Sequence, residues 1–156
     1  LHESQAQFQQ ITENVADLIA VLDTEGRRIY NNPAYRTILG DPVNLRGTTS
    51  FDDIHPGDRE RIRKIFQETV RTGVGQRAEY RFLLRDGTVR YIESQGSVIR
   101  DERGQVLNVL VVSRDVTERR RAEERIREQA SLLDQARDAI FVTGLDGKVT
   151  YWNAQA

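Results

Sequence analysis

This chain has no cysteine and no methionine. The first absence excludes disulfides, thiolate metal centres and thiol nucleophiles. Histidine is scarce: His2 and His55 are the only two. A metal site needs several converging ligands, and two distant imidazoles do not make one. No apolar run approaches the roughly 20 residues that a membrane-spanning helix needs; the longest, Val106–Val112, contains Asn108. An excess of one charge is also missing: 23 basic residues face 24 acidic ones, for a net charge of −1. That balance is no footprint for nucleic acid. The one basic run, Arg119–Arg121, is flanked by Glu118, Glu123 and Glu124 and reads as a solvated helix face. The polar N-terminus resembles no signal peptide. The expectation is a soluble, cytoplasmic segment with no membrane contact of its own, whose parent protein can be tethered elsewhere.

What the chain does have is an internal repeat. Residues 11–34 return without gaps at 132–155, an offset of 121 (132 − 11). Asp17, Ile19, Val21, Gly26, Tyr30 and Asn32 match Asp138, Ile140, Val142, Gly147, Tyr151 and Asn153. Near-matches lie between them: Ile11 with Leu132, Glu13 with Asp134, Glu25 with Asp146 and Arg27 with Lys148. A fixed period governs every later reading. The chain reads as one complete module followed by the opening of a second copy, hence as a segment of a tandem array.

Periodicity supplies the elements. Residues 3–17 predict an amphipathic helix with Phe8, Ile11, Val15 and Leu18 on one stripe, able to pack on its own domain or on the same stripe of a second chain. Leu18–Asp23 and Arg27–Asn31 are strand-like around Thr24-Glu25-Gly26, a hairpin signal. Ala34–Leu39 predicts a short helix ended by Gly40, and 40–55 a loop with at most a turn of helix. Pro56 and Asp58 open a longer helix with Ile62, Ile65, Phe66, Thr69 and Val70 on one face, stopped by Gly73 and Gly75. The period then becomes two: Ala78, Tyr80, Phe82 and Leu84 alternate with Arg77, Glu79, Arg81 and Leu83. Asp86-Gly87 predicts a type I′ hairpin. Val89–Ile99 and Val106–Val112 complete a three-strand meander. The sum is an α+β fold, a five-stranded antiparallel sheet with helices on one face.

The exit from the last strand is charged: 11 of the 15 residues from Arg114 to Glu128, six basic and five acidic. Arg120/Glu124 and Glu123/Arg127 are i,i+4 pairs that support an exposed helix. Val116, Ile126, Ala130, Leu133 and Ile140 fit a heptad seam that Arg119, Glu123 and Arg137 interrupt. Either two chains pair along this seam as a parallel coiled coil, or the helix is a lone charged linker.

Three stretches carry a resemblance. The segment Phe51-Asp-Asp-Ile-His-Pro-Gly-Asp-Arg59 precedes the long helix, and Glu79-Tyr-Arg-Phe-Leu-Leu-Arg-Asp-Gly-Thr-Val-Arg-Tyr-Ile92 spans the first meander hairpin. Tyr30-Asn-Asn-Pro-Ala34 is echoed by Tyr151-Trp-Asn-Ala154. Together with the terminal Asp115-Val116-Thr117, their order resembles a PAS domain with its PAC half. The resemblance implies an N-terminal amphipathic helix (1–17), a PAS domain (18–117), a signalling or coiled-coil helix (118–136) and the first hairpin of a second PAS domain (137–156). It implies a non-catalytic sensory module that relays a signal through a homodimeric helix to downstream domains of the same chain. In bacteria such outputs are histidine kinases or cyclic-di-GMP enzymes such as diguanylate cyclases. A ligand-free dimerisation scaffold is the competing expectation.

PAS ligands, where present, sit between sheet and helices. The alternation puts Ile19, Val21, Tyr80, Phe82, Leu84, Ile92, Ser94, Val109, Val111 and Ser113 on one sheet face, with Phe66 offered by the long helix. The pocket candidates are Phe66, Tyr80, Phe82, Ile92, Ser94, Val111 and Ser113; a collapsed core without ligand is the alternative. A covalent flavin adduct needs the missing cysteine. The positions that resemble the family's flavin-binding amides are Phe82, Ile92 and Ser113, which cannot supply those bonds. Haem needs an axial ligand, and His55 reads instead as a loop or helix-start residue. No cofactor is therefore expected. Ser94 and Ser113 have no visible base, and Asp52-Asp53 read as loop or capping residues. Asp115 and Thr117 are the expected relay residues where strand meets helix, as caps and as couplers. Phe8, Ile11, Val15, Ile126 and Leu133 are the expected dimer contacts.

Overall fold

The computed structural model describes residues 15–135, with Gln7, Gln10, Ile11, Leu145 and Gly147 and the backbone of 141–143 and 149–152. The chain divides into two units, Leu1–Val116 and Thr117–Ala156. In the first unit five strands, β1 (Leu18–Leu22), β2 (Arg28–Asn31), β3 (Arg77–Leu83), β4 (Val89–Arg100) and β5 (Val106–Asp115), form one sheet. Its order is β2-β1-β5-β4-β3, and every neighbouring pair is antiparallel. Between β2 and β3 lie a 3-10 turn (Pro33–Thr37), the short helix α1 (Pro42–Leu45), a second 3-10 turn (Ser50–Asp53) and α2 (Pro56–Thr72).

β1 is Leu-Ile-Ala-Val-Leu, buried along its whole length. Its two edges pair with β2 and β5, and because residues on both of its faces are buried no polar alternation is needed. Its register with β5 pairs Leu18 with Ser113, Ala20 with Val111 and Leu22 with Val109. Leu18, Ala20 and Leu22 therefore share the helix-side face with the β5 candidates. This corrects the placement of Ile19 and Val21, which lie on the opposite face. An apolar run of five carries no parity, and only the pairing fixes it.

Three hairpin turns share one design. The N–H of Asp23, Leu84 and Asp101 donates to the carbonyl four residues on, at 2.9, 2.9 and 2.8 Å. Gly26, Gly87 and Gly104 each donate back to the first residue's carbonyl, and their φ values are 89°, 86° and 82°. Among the described residues no other residue type has positive φ, so the expected type I′ turn at Asp86-Gly87, which needs two such residues, is not formed. Each link is a three-residue loop closed by a left-handed glycine. Asp23, Asp86 and Asp101 brace these loops by accepting backbone N–H bonds, for example Thr88 N–H to Asp86 Oδ1 at 2.9 Å. That bond holds the Asp86 carboxyl below its usual range. Gly26 has a second reason to lack a side chain: a Cβ there would sit 2.5 Å from the Phe51 ring.

α2 begins as its sequence asks. Pro56 occupies the first turn, and His55 Nδ1 accepts the Gly57 N–H at 3.0 Å, which caps the helix. Gly73 ends it at φ 73°. Asp58 ties the helix to β3, accepting the Arg81 N–H at 3.0 Å and its Nε–H at 2.9 Å. The buried core is continuous across the helix-side face: Leu18, Ala20, Leu22, Tyr35, Phe51, Ile54, Ile62, Phe82, Ile92 and Val109.

Two expectations at the termini need adjusting. Residues 15–17 are not helical, so the helix expected over 3–17 does not reach Val15. Phe8 and Ile140 lie outside the described residues. In the second unit α3 runs Thr117–Asp134, followed by β6 (Phe141–Thr143) and β7 (Val149–Trp152), which pair antiparallel. Their register copies the first hairpin. Ala20↔Asn31, Val21↔Tyr30 and Leu22↔Arg28 become Phe141↔Trp152, Val142↔Tyr151 and Thr143↔Val149, with the irregularity at the equivalent step. Every partner is displaced by 121 (141 − 20), the sequence offset, so the repeat is one of backbone structure.

Candidate functional site

Between α2, the 3-10 turns and the helix-side face of the sheet lies a cavity of about 80 Å³. Leu22, Phe51, Ile62, Phe66, Phe82 and Val111 are among its apolar walls. Phe66 meets Phe51 edge to face, with ring centroids 5.4 Å apart, and Tyr80 meets Phe82 likewise at 5.7 Å. Of the seven pocket residues expected from sequence, Phe66, Tyr80, Phe82, Ser94, Val111 and Ser113 line this space. Ile92 does not. It is 1% exposed and packed within the core instead.

The polar part of the lining is Arg28, Tyr35, Tyr80, Ser94, Ser113, Ser50, Thr69 and Gln76. Tyr80 comes from β3 and reaches toward the hydroxyls of Ser113 and Ser94, on the strands beyond Ile92. Burial raises its phenol pKa, and those two hydroxyls pull it part of the way back. Burial raises Tyr35 further, with Tyr80 beside it adding to the rise. Both phenols therefore stay neutral across the physiological range. Ser113 Oγ is buried, and its approach to the Tyr80 hydroxyl falls short of a well-formed hydrogen bond.

Arg28 and Tyr35 went unnoticed in the sequence. Arg28 is only 3% exposed. Its Nη1 donates to Thr48 Oγ1 at 2.9 Å and pairs with Asp53 Oδ2 at 2.8 Å, while its Nε has no partner. Asp53 thus has a larger role than the loop or capping function read from sequence: it compensates a buried guanidinium. The available signal was an arginine within a strand-like run and an acidic pair beside Phe51, but nothing local joins them.

Residues 12–121 match the profile of the PAS fold. The chain belongs to the PAS fold family. It is 32% identical over 85 residues, 54% of its length, to a methyl sulfide methyltransferase-associated sensor from Methanosarcina acetivorans. Over 142 residues, 89% of its length, it is 24% identical to the sensor histidine kinase TmoS from Ectopseudomonas mendocina. It spans 8% and 15% of those relatives' lengths. Among solved structures, a PAS domain from Colwellia psychrerythraea superposes with a TM-score of 0.67 at 28% identity, covering 74% of this chain and 98% of the other.

The PAS sheet ends at Asp115, and its Oδ2 accepts Arg90 Nε–H at 2.7 Å from the neighbouring strand. The next residue, Val116, donates its N–H to Tyr91 O at 2.8 Å. Thr117, the other expected relay residue, opens α3 and is buried. Along α3, Ile126 and Leu132 are each 68% exposed, and Leu133 is half-buried. Ile11 is exposed to the same degree, and Val15 is half-buried. No helix among the described residues is long and apolar enough to cross a membrane.

Proposed function

We propose that this chain is the sensing and relay part of a longer signalling protein, in which a small molecule in the PAS cavity alters the sheet and α3 carries the change to a downstream output. One observation carries the reading. The strand that walls the cavity with Val109, Val111 and Ser113 runs through a single residue, Val116, into the 18-residue helix α3. A shift in β5 has no slack loop in which to dissipate. Asp115 is the relay residue through its bond to Arg90, and Thr117 through its place at the helix start. The sensor relatives support this role, and a histidine kinase or a cyclic-di-GMP enzyme is the proposed output. Two chains paired along the seam of Ile126 and Leu133 would cover the exposed side chain of Ile126. The hairpin β6–β7 is the opening of a second PAS domain, and the protein acts in the cytoplasm. The cavity volume of about 80 Å³ favours a signal smaller than haem or a flavin ring.

The competing scaffold reading draws on the same seam of α3, which pairs whether or not a ligand binds. Native mass spectrometry beside the denatured mass separates the two. Extra mass lost on denaturation is the expected result. A bare mass at twice the monomer, with no change in output on Asp115→Ala in the full-length protein, would establish the scaffold instead.

A further inference from the structure

We infer that the cavity takes a small uncharged ligand that presents a hydrogen-bond acceptor to Arg28. This rests on the sensory reading above and adds the ligand's class. The walls mix apolar with polar side chains, and one buried donor of a lining residue is unspent, Arg28 Nε–H. A buried N–H of a charged group without an acceptor is costly, and native folds seldom leave one without a purpose. A guanidinium N–H can only donate, so Arg28 Nε–H calls for an acceptor, whether a carbonyl, a ring nitrogen or an ether.

Charge decides the rest. Arg28 is the only ionic side chain among the residues that line the cavity. Asp53 already neutralises it at 2.8 Å. A carboxylate ligand would bring a second anion to a guanidinium whose charge is spent, in a site where burial makes uncompensated charge expensive. An ammonium ligand would face Arg28 with no anion on the cavity side. The neutral phenols of Tyr35 and Tyr80 alter neither conclusion. Size sets the scale: a cavity of about 150 Å³ elsewhere holds benzene, so this smaller one takes at most about six non-hydrogen atoms. So small a ligand binds no tighter than about micromolar.

The test uses the whole 156-residue chain, nitrogen-15 labelled, and four probes of similar size. These are cyclopentanone, cyclopentane, cyclopropanecarboxylate and cyclopentylammonium. Cyclopentanone should shift the Arg28 Nε–H resonance and the Val109 and Val111 amides saturably, and bind at least about fivefold tighter than either ion. Arg28→Lys, which keeps the charge and loses Nε–H, should weaken the ketone about fivefold and leave cyclopentane unchanged. Asp53→Asn should raise the affinity for cyclopropanecarboxylate to that of the ketone or above. The inference falls if either ion matches the ketone on the unaltered protein, or if Arg28 Nε–H stays still at saturation. Cyclopentane binding as well as cyclopentanone would sink this inference alone. Cavity amides that respond to none of the four would sink the sensory reading with it.

Discussion

Asn32 shows how one side chain can set the geometry of this fold. It is fully buried, its Oδ1 accepts the Ile19 N–H at 2.9 Å, and its Nδ2 donates to Asp17 O at 2.9 Å. Alanine there would leave a buried N–H and a carbonyl unpaired. Asn32→Ala should lose about 2–3 kcal/mol of stability in urea denaturation; a loss under about 0.5 kcal/mol would show that water replaces the amide. Asp58 offers a pH-dependent case. The hydrogen bond from the Arg81 side chain, helped by the Arg81 backbone N–H and opposed by burial, holds its carboxyl below the usual range. A folded-state pKa below the unfolded one means stability present above the unfolded value and lost as pH falls through the folded one. Asp58→Asn should therefore destabilise by about 1–2 kcal/mol at pH 7, with the gap to the unaltered protein closing as pH falls from the unfolded carboxyl value, about 3.9, through the lower folded one. A gap that is constant with pH would deny the charge any part. Arg28 is the residue that sequence reading could not find. An arginine in a four-residue strand reads as solvent-facing, and its anion, Asp53, is 25 positions away (53 − 28). Only the packing of the second 3-10 turn over β2 brings them together.

At the scale of elements, legibility followed local chemistry. The meander was readable because its strands alternate and its links carry Asp and Gly. The α2 boundaries were readable because Pro56 and Gly73 act through their own backbones. The turn type at Asp86-Gly87 was not, because the dipeptide serves two loop designs and the sequence does not count the loop's residues. The face of β1 was not, because five apolar residues have no phase until β5 supplies a partner. Most of the expected pocket residues share a wall because alternation in β3 and β5 survives folding, while Ile92 shows that the right face is not always the right depth. For α3, sequence and structure agree on a charged helix with Ile126 exposed; of the expected seam Leu133 is half-buried, and Leu132, off the seam, is exposed instead. If two chains pair there, Ile126→Glu with Leu133→Glu should convert a dimer to a monomer in analytical ultracentrifugation while the far-ultraviolet circular dichroism of the sheet is kept. Dimers that persist would move the contact to another surface.

The whole molecule is periodic. The register of β6–β7 repeats that of β1–β2 down to its irregular step, and α3 stands between the two hairpins in the chain. In the full-length protein, Arg90→Gln and Asp115→Asn should each uncouple ligand from output by about the same amount, and the double variant by no more than either alone. Additive losses would show that the two side chains act separately. A continuous helix between repeated modules also has a phase: each residue adds about 100° of turn and about 1.5 Å of rise. One residue inserted after Glu124 would turn everything beyond it by roughly a quarter of a circle, whereas seven would bring it back to within about 20°. Output plotted against insert length should then rise and fall as a wave and recover at seven. A steady decline would make α3 a spacer and leave its azimuth without meaning.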